Sequence, residues 1–457
     1  MTALWTSAEI AAATGGMASI AFSANGVAFD SREVGAGDLF IALKGENTDG
    51  HRFVDGAFEQ GAAGAIVSQP VAHPNIQVAD TTAALDALGV AARARTTAKI
   101  VGVTGSVGKT GTKEALSAAL ARGKRGAVHR SVKSYNNHTG VPLSLSRMPA
   151  DSAFGVFEMG MNHAGELAAL TRMVRPHVAL VTTVAAAHIE FFASVEAIAD
   201  AKGEIFQGLE PGGTAIVPID SPHRDRLIGH AKPYASNILT FGTAEGADVR
   251  ALDIVSTPGG TMITAVLPQA EISFILSQPG DHWVSNAMAV LAATHALGGD
   301  LAAAGLALAD FSGLPGRGAH YRIPVGDGEA LIVDESYNAN PTSVAATLDV
   351  LGKTDAKRRI IVLGAMRELG TMSDDLHAGL AEPILAAGVD YALLVGSGME
   401  PLARALEGRI ESAHWPDASS AGESLRKIIR PGDAILIKGS NAIGLGRIVA
   451  TLTGGQS

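Results

Sequence analysis

A glycine-rich stretch near residue 105 has the composition of a phosphate-binding loop. It follows an apolar run typical of a strand and precedes a helical pattern, and its residues are Thr104, Gly105, Ser106, Val107, Gly108, Lys109 and Thr110. In such a loop the backbone N–H groups hold phosphate oxygens, Lys109 reaches the β- and γ-phosphates, and the Thr110 hydroxyl ligates Mg²⁺. The general motif would have glycine at Val103, so this loop is a variant of it. The pattern predicts binding of a nucleoside triphosphate.

Two further strand ends could supply groups near the bound Mg²⁺. The apolar run FGVFEMG carries Glu158 at its end, and VALVTTVAAAHIEFF carries His188 and Glu190. Because ligands of open α/β sheets collect at the carboxyl ends of the strands, we expect Glu158 and His188 to lie near the loop. A solvated carboxylate and a histidine with a structural hydrogen bond are the alternatives.

Lys202 interrupts an apolar stripe. The segment Ser194–Leu209 predicts an amphipathic helix with Ser194 as N-cap. The stripe consists of Val195, Ile198, Ile205, Phe206 and Leu209. Lys202 either extends its ammonium to solvent along apolar neighbours, or is desolvated and has a depressed pKa. In the second case the neutral amine could add CO₂ and become a carbamate, a metal ligand with anionic oxygens. Periodicity alone leaves both interpretations open.

Composition restricts the class of protein. The chain has 457 residues, of which 47% are hydrophobic and 18% charged, as in globular proteins. Its net charge of −10 argues against a nucleic-acid partner, and the absence of cysteine excludes disulfides and thiolate metal sites. No continuous apolar run reaches the about 20 residues of a membrane span, and the N-terminal stretch lacks the basic region of a signal peptide. We expect a cytoplasmic protein.

The elements that position these residues predict an α/β fold of three domains. Residues 1–97 alternate short strands and helices, and from Lys99 onward apolar strands alternate with helices, which predicts a mostly parallel sheet. The stretch FSGLPGRGAHYR, beginning at Phe311, reads as a linker. After it, ALIVDES, RRIIVLG, YALLVG and AILIKGS predict four buried strands of a Rossmann-like domain. The predicted domains are residues 1–97, 98–316 and 317–457.

The order and spacing of nine motifs are similar to those of the Mur ligases of peptidoglycan synthesis. The motifs are DSREVGAGDLFIALKGENTDGHRF (30–53), TGSVGKT (104–110), NNHTGVPLSL (136–145), EMGMNHAGE (158–166), AHIEFFASVEAIADAKGEI (187–205), GDHWVSNAMAV (280–290), PGRG (315–318), DESYNANPTS (334–343) and KGS (438–440). The chain departs from the family at Ala365 and Asn441, where Asp and Arg are usual.

The resemblance implies an ATP-dependent ligase that forms an amide through an acyl phosphate and a tetrahedral intermediate. The SYNANP sequence and the pair Asn136-Asn137 indicate the family members that join D-alanyl-D-alanine to UDP-N-acetylmuramoyl-tripeptide. The implied partners are these two substrates and the implied cofactors are ATP and two Mg²⁺ ions. We expect a monomer without a membrane span or a nucleic-acid partner.

The resemblance also implies a catalytic set made of Lys109, Glu158, His188 and Lys202. Thr110 and Glu158 would hold the Mg²⁺ between the ATP phosphates. His188 and Lys202, the latter as a carbamate, would serve the second Mg²⁺.

Binding roles follow from the same resemblance. Asn286, on a predicted helix, would contact adenine, while Arg317 and Asp334 would reach ATP from the other side of the cleft. The residues implied for the substrate are Ser31 and Arg32, for the uridine nucleotide, and Asn136 and Asn137, along the muramoyl-peptide path. The alternatives are an exposed linker charge for Arg317, a solvated helix residue for Asn286 and simple turn residues for Ser31 and Arg32.

Three other functions remain open from the residues. A sister ligase that adds a single amino acid, or a folylpolyglutamate synthase, would share the chemistry. A regulatory P-loop NTPase or kinase would use the loop without forming an amide. An NAD(P)-binding oxidoreductase could use the C-terminal Rossmann-like pattern, although GLPGRG does not follow a predicted strand.

Overall fold

The computed structural model describes residues 3–45, 48–123, 128–257 and 259–455. Glu46 and Asn47, within the motif at 30–53, lie outside the described residues. Three large sheets, of five, nine and six strands, are each built from one stretch of the chain and are covered by helices. The predicted α/β architecture is confirmed. No helix in the described ranges combines the length and apolarity needed to cross a bilayer.

The N-terminal part contains a five-stranded sheet. Its elements are β1 (Trp5–Thr6), α1 (Ser7–Thr14), β2 (Met17–Ala18), β3 (Ser23–Ala24), β4 (Gly26–Ala28), β5 (Asp38–Ile41), α2 (Val54–Glu59), β6 (Gly64–Val67), β7 (Asn75–Gln77) and α3 (Thr81–Ala94). The strand order is β2-β7-β6-β5-β4, with only the β2–β7 pair antiparallel. A 3-10 turn over Ser31–Glu33 follows β4, and its N-cap Asp30 accepts a hydrogen bond from the Arg32 N–H.

The central part contains the nine-stranded sheet. Its elements are β8 (Lys99–Thr104), α4 (Lys109–Gly123), β9 (Val128–Arg130), α5 (Gly140–Ser146), β10 (Phe154–Glu158), α6 (Glu166–Val174), β11 (Val178–Val181), α7 (Val195–Gly203), β12 (Thr214–Pro218), α8 (Arg224–Ala231), β13 (Asn237–Gly242), β14 (Val249–Thr257), β15 (Gly260–Leu267), β16 (Ala270–Leu276), α9 (Asp281–Ala296) and α10 (Leu301–Ala309). In the order β16-β15-β14-β13-β12-β11-β8-β10-β9, strands β9 and β10 lie on one side of β8 and strands β11–β16 lie on the other. The carboxyl end of β8 is therefore a topological switch point, where α/β sheets bind ligands.

Two features of the central part differ from the prediction. The antiparallel strands β14, β15 and β16 extend the parallel sheet, and their partly exposed side chains gave no buried-strand signal. The helix predicted over Ser194–Leu209 ends earlier, because α7 stops at Gly203 and a 3-10 helix continues over Glu204–Gly208. Ser194 is the N-cap as predicted, and its hydroxyl accepts a hydrogen bond from the Ala197 N–H at 3.3 Å.

The C-terminal part contains the six-stranded sheet. Its elements are β17 (Ala319–Val325), β18 (Gly328–Glu335), α11 (Pro341–Lys353), β19 (Arg358–Gly364), α12 (Ser373–Ala378), α13 (Ala381–Ala386), β20 (Tyr391–Val395), α14 (Glu400–Leu406), β21 (Glu411–Trp415), α15 (Ala418–Ile428), β22 (Asp433–Lys438) and α16 (Gly446–Leu452). The four predicted strands are confirmed as β18, β19, β20 and β22. The first strand, β17, begins inside the predicted linker and pairs antiparallel with β18.

Candidate active site

The phosphate-loop residues join β8 to α4 and are held in place by the next strand's end. Gly105 has φ +152°, and a Cβ there would lie 1.9 Å from Thr182 Oγ1. Thr182 Oγ1 donates a hydrogen bond to the carbonyl of Val107 at 2.6 Å, and Lys109 Nζ donates to the carbonyl of Gly105 at 2.6 Å. The loop thus has the glycine-dependent backbone of a phosphate cradle, with its lysine folded over it.

Glu158 connects the loop to a neighbouring segment. It ends β10 in register with Val103 of β8, and it is 1% exposed. Thr110 Oγ1 donates to Glu158 Oε2 at 2.8 Å, and Asn136 Nδ2 donates to Oε1 at 2.8 Å. A hydroxyl and a carboxylate at the start of a phosphate-binding helix are the hard oxygen donors that Mg²⁺ uses together with substrate phosphates.

Lys202 lies inside the protein on α7. It is 2% exposed, and among the described residues its ammonium has neither a hydrogen-bond acceptor nor a carboxylate partner. Burial, with a smaller contribution from the charge of Lys109, lowers the pKa of Lys202 well below its ordinary value. The interpretation in which the ammonium reaches solvent is therefore wrong, and a desolvated amine with a lowered pKa fits the chemistry of carbamate formation.

His188 faces a carboxylate that the sequence did not single out. The residue precedes a 3-10 turn over Ile189–Phe191 and has φ +59°. Its Nδ1 lies against Oε2 of Glu368, which comes from the loop after β19. This contact lowers the pKa of the Glu368 carboxyl. In the sequence, Glu368 is distinguished only by its place in the GAMRELG stretch, three residues after Ala365.

A cavity of about 370 Å³ lies between the central and C-terminal parts. Among the predicted residues, it is lined by Ser106, Val107, Gly108, Lys109, Asn136, Glu158, His188, Asn286 and Arg317. Lys202 and Asp334 do not belong to its wall. In the described part of the chain, no three His, Asp or Glu side chains cluster as metal ligands, so a metal here would need phosphate, water or other oxygens.

Asn286 and Arg317, which are predicted to contact adenine and ATP, differ in how far they are exposed. Asn286 is buried in α9, and its Oδ1 would lie 2.6 Å from a Cβ at Gly108, so its amide adjoins the loop. Arg317 Nη2 donates to Ser134 Oγ at 2.9 Å, and its guanidinium lies 4.0 Å from the centre of the Tyr337 ring. Because Arg317 has these partners, the interpretation of it as an exposed linker charge is wrong. The solvated-helix interpretation of Asn286 is likewise wrong.

The Asp334 carboxylate is used inside the C-terminal part. Its Oδ2 accepts a hydrogen bond from the Gly316 N–H at 2.6 Å, and its Oδ1 accepts one from Ser336 Oγ at 2.6 Å. The residue is 2% exposed. Asp334 therefore shapes the turn that carries Arg317, and a direct contact with ATP stays a prediction.

The first residue of the linker is hydrogen-bonded to the central part, and Gly316 is hydrogen-bonded to the C-terminal part. The carbonyl of Phe311 accepts hydrogen bonds from Ser277 Oγ at 2.5 Å and Gln278 Nε2 at 2.9 Å, both beside the central sheet. Gly316, five residues later, is attached to Asp334 of β18. Residues 312–315 lie between these two attachments.

Residues 133–136 contact all three parts of the molecule. Lys133 Nζ forms an ion pair with Glu33 of the N-terminal part, and Tyr135 Oη donates to the same carboxylate at 2.9 Å. Ser134 contacts Arg317, and Asn136 contacts Glu158. Groups from the N-terminal part, from the linker and from the end of β10 therefore meet on one short loop.

The predicted substrate residues are not all in the cavity. Arg32 is 86% exposed at its side chain and is paired with Asp30 at 2.6 Å, next to Ser31 in the same 3-10 turn. Asn137 Oδ1 accepts hydrogen bonds from the N–H groups of Thr139 and Gly140 at 3.3 and 2.9 Å, so it organises the start of α5. A substrate role for these residues stays a prediction.

One cavity residue of the C-terminal part was not predicted from the sequence. Lys438, at the end of β22, is 2% exposed and lines the cavity, where it donates to the Asn338 carbonyl at 2.9 Å and to Glu335 at 3.4 Å. Burial lowers the pKa of Lys438. The KGS motif was the available signal. Nearby, Ala365 is buried and Asn441 is exposed at the following turn.

Comparisons with known proteins give a consistent family. Models described as the Mur ligase catalytic, middle and glutamate ligase domains match residues 23–123, 103–294 and 322–441. The chain is 35% identical over 431 residues to the UDP-N-acetylmuramoyl-tripeptide–D-alanyl-D-alanine ligase of Escherichia coli, covering 93% of each. The fold is similar to a crystal structure of MurF from Acinetobacter baumannii, with a TM-score of 0.85, 32% identity and coverage of 98% and 99%. It also resembles the Thermotoga maritima MurF ligase in complex with ADP, with a TM-score of 0.77, 28% identity and coverage of 94% and 97%.

Proposed function

The chain belongs to the Mur ligase family, and on that premise we propose that it joins D-alanyl-D-alanine to UDP-N-acetylmuramoyl-tripeptide with cleavage of ATP. The single observation that carries the proposal is the shared cavity. Lys109 and Asn286 from the central part line it together with Arg317 and Lys438 from the C-terminal part. A site divided in this way can hold ATP on one side and bring an amine to the activated carboxyl from the other.

The reaction consists of two transfers. A carboxylate oxygen of the tripeptide forms a bond to the γ-phosphorus while the bond from that phosphorus to the β-γ bridging oxygen breaks, which gives an acyl phosphate and ADP. The dipeptide amine then attacks the acyl carbon, and the tetrahedral intermediate loses phosphate and a proton to leave the amide. Both reactants of the first step are anions, so neutralisation by Lys109 and in-line positioning are the main requirements.

Magnesium fits the pair formed by Thr110 and Glu158. Their oxygens are 2.8 Å apart at the start of α4, where the phosphates of ATP would supply further oxygen ligands. The bound ion would neutralise charge on the β- and γ-phosphates. The second Mg²⁺ is proposed at His188, where an additional anionic oxygen would be needed as a ligand.

We assign that oxygen to a carbamate on Lys202. The ammonium first loses a proton, and the neutral ε-amine then adds to CO₂ with formation of an N–C bond and loss of a second proton, so that a cation is replaced by a carboxylate-like anion. Complete burial and the absence of a partner for the Lys202 ammonium in the described ranges support the modification. It would remove the cost of burying an unpaired amine beside Lys109.

The remaining roles follow the arrangement of the parts. Asn286 is assigned to adenine and Arg317 to the ATP phosphates, while Asp334 holds the turn of Arg317. Residues 1–97 are assigned to the uridine nucleotide through Ser31 and Arg32, 98–316 to ATP and 317–457 to the dipeptide. Asn136 is assigned to the muramoyl-peptide path and Asn137 to the loop beside it. The monomeric state and cytoplasmic location stay predictions.

Product analysis tests the function. The protein is incubated with ATP, Mg²⁺, UDP-N-acetylmuramoyl-tripeptide and D-alanyl-D-alanine, and we expect ADP and the pentapeptide product by mass spectrometry. Single amino acids in place of the dipeptide test the sister-ligase alternative. Hydrolysis of ATP that does not depend on the UDP-linked peptide would instead support a regulatory NTPase and contradict the proposal.

A further inference from the structure

Glu368 and His188 form a contact between two different parts of the molecule. His188 follows the central strand β11, whereas Glu368 follows the C-terminal strand β19, and the carboxylate Oε2 lies against the imidazole Nδ1. The carboxylate approaches off the N–H direction, so Nδ1 makes no well-aligned hydrogen bond in this arrangement. Both side chains have rotatable bonds, and a small rotation of either one would align them.

The backbone around the contact is specifically arranged. His188 and Glu368 both adopt the left-handed region, with φ of +59° and +62°, which is uncommon for residues other than glycine. The Glu190 N–H donates to the Glu368 carbonyl at 3.3 Å, and a Cβ at Gly370 would lie 3.3 Å from the Glu190 Cα. Two strained residues held against each other indicate an arrangement that the surrounding packing maintains.

We infer that Glu368 is a positioning residue for His188, which orients the imidazole so that Nε2 is directed to the second metal. The inference rests on the proposed function. Histidine ligands commonly donate their other ring N–H to a carboxylate, which fixes the tautomer and the ring orientation. With Nδ1 occupied by Glu368, Nε2 is the ring nitrogen that remains for a metal. Because the carboxylate comes from the C-terminal part, the second metal site is complete only when that part is closed on the central one.

Metal titration tests this inference without turnover. Free Mn²⁺ is measured by electron paramagnetic resonance while the metal is added to protein, a non-hydrolysable ATP analogue and bicarbonate. We expect two Mn²⁺ per wild-type complex. In Glu368→Gln the first should bind normally and the second about 10–100-fold more weakly, as for outer-shell partners elsewhere.

A matched control and a double variant separate positioning from general charge. Glu423→Gln makes the same chemical change at an exposed position of α15, in the same C-terminal part as Glu368, and we expect two sites of wild-type affinity. If Glu368 acts through His188, Glu368→Gln should have no additional effect in a His188→Asn background. A metal-free readout is the ¹⁵N spectrum of selectively labelled histidine, in which His188 should change its Nδ1–H signal in Glu368→Gln.

The outcomes are decisive in both directions. Unchanged affinity for the second Mn²⁺ in Glu368→Gln, equal losses in Glu423→Gln, additive effects in the double variant, or one Mn²⁺ per wild-type complex would each overturn the inference. A wild-type protein that makes no pentapeptide would refute the proposed function instead, and the metal titration would still decide the role of Glu368.

Discussion

At the scale of single residues, the most informative group is the ammonium of Lys202. A buried amine without a partner is costly, and a protein retains one only where the position is needed. Lys202 contributes nothing to the packing of α7 that an apolar side chain of the same length could not supply. Its presence therefore indicates chemistry.

Replacement of Lys202 should separate chemistry from stability. Lys202→Ala and Lys202→Met should each lower the rate of pentapeptide formation by at least about 100-fold, since each variant lacks the group proposed to bind the second metal directly. Thermal unfolding of Lys202→Met should occur at or above the wild-type temperature, because an apolar side chain of similar volume replaces a buried amine.

Chemical rescue by acetate tests whether Lys202 acts as a carbamate. Acetate offers a carboxylate that can occupy the space left in Lys202→Ala, so we expect partial recovery of the rate with increasing acetate. Acetate should leave Lys109→Ala inactive, because that variant lacks the lysine proposed to contact the ATP phosphates. Near-native turnover of Lys202→Ala without acetate would contradict the metal-site assignment.

At the scale of elements, the β8-to-α4 turn depends on glycine. A Cβ at Gly105 would clash with Thr182 Oγ1 at 1.9 Å, and the φ of +152° is unfavourable for L-residues. Gly105→Ala should therefore weaken nucleotide binding by at least about 10-fold in a calorimetric titration. The control is Gly229→Ala in α8, where nothing lies within 4 Å of the added Cβ. That change should leave nucleotide affinity intact and stabilise the helix by about 0.5–1 kcal/mol.

The edge strand β9 of the central sheet contains a buried-ring histidine whose pKa is lowered. Burial lowers the pKa of His129 to about 4, and the ring contacts the Ser144 carbonyl at 2.8 Å. Between about pH 6.5 and pH 4 the unfolded chain binds a proton that the folded protein does not, so stability falls as the pH falls.

Substitution of His129 should remove this dependence. The loss from this residue is at most about 3 kcal/mol across the window, from 1.36 kcal/mol per pKa unit. His129→Gln should flatten the fall of the unfolding temperature between pH 6.5 and pH 4, and the exposed His138→Gln should not. Parallel curves for His129→Gln and the wild type would show that the ring is not held neutral.

Local sequence patterns predicted the elements well where burial was complete. β8, β10, β11 and β22 are buried almost throughout, so they appear as apolar runs in the sequence. β14–β16 contain many exposed or half-buried residues, so the sequence did not predict them. Thr110 and Glu158 could be placed because strand ends converge at one sheet edge. Glu368 could not, because its contact depends on how two separately folded parts meet.

At the scale of the whole molecule, residues 133–136 connect the three parts. Glu33 reaches this loop through Lys133 and Tyr135, which lie on either side of Ser134, and Asn136 directly follows Tyr135. Occupation of the N-terminal part can therefore influence groups around Glu158 through a short, hydrogen-bonded path.

Removal of the Glu33 carboxylate should reveal this connection. Glu33→Gln loses a partly exposed ion pair and weakens the Tyr135 hydrogen bond, together about 1 kcal/mol, so we expect a roughly 5-fold lower kcat/KM for the UDP-linked peptide. Nucleotide affinity measured without the peptide should stay at the wild-type value. Glu59→Gln, on the exposed face of α2, is the control and should behave as the wild type. A loss confined to ATP binding would contradict the proposed path.

The attachments at the two ends of the linker locate a hinge. Phe311 is fixed beside the central sheet and Gly316 is fixed to β18 through Asp334. Leu314 and Arg317 exchange backbone hydrogen bonds of 3.3 and 2.8 Å, so the last part of the linker is itself a closed turn. Ser312 and Gly313 are left as the pair whose dihedral angles can change, and Gly313 already has φ +78°.

A two-residue hinge determines what moves together. Arg317, Glu368 and Lys438 all lie beyond Gly313 and would rotate as one rigid body. One rotation of the C-terminal part would then form three contacts at the same time. Arg317 would meet the central part, Glu368 would meet His188, and Lys438 would reach the cavity. An open molecule would lack all three, so ATP could enter and ADP could leave without being committed to chemistry.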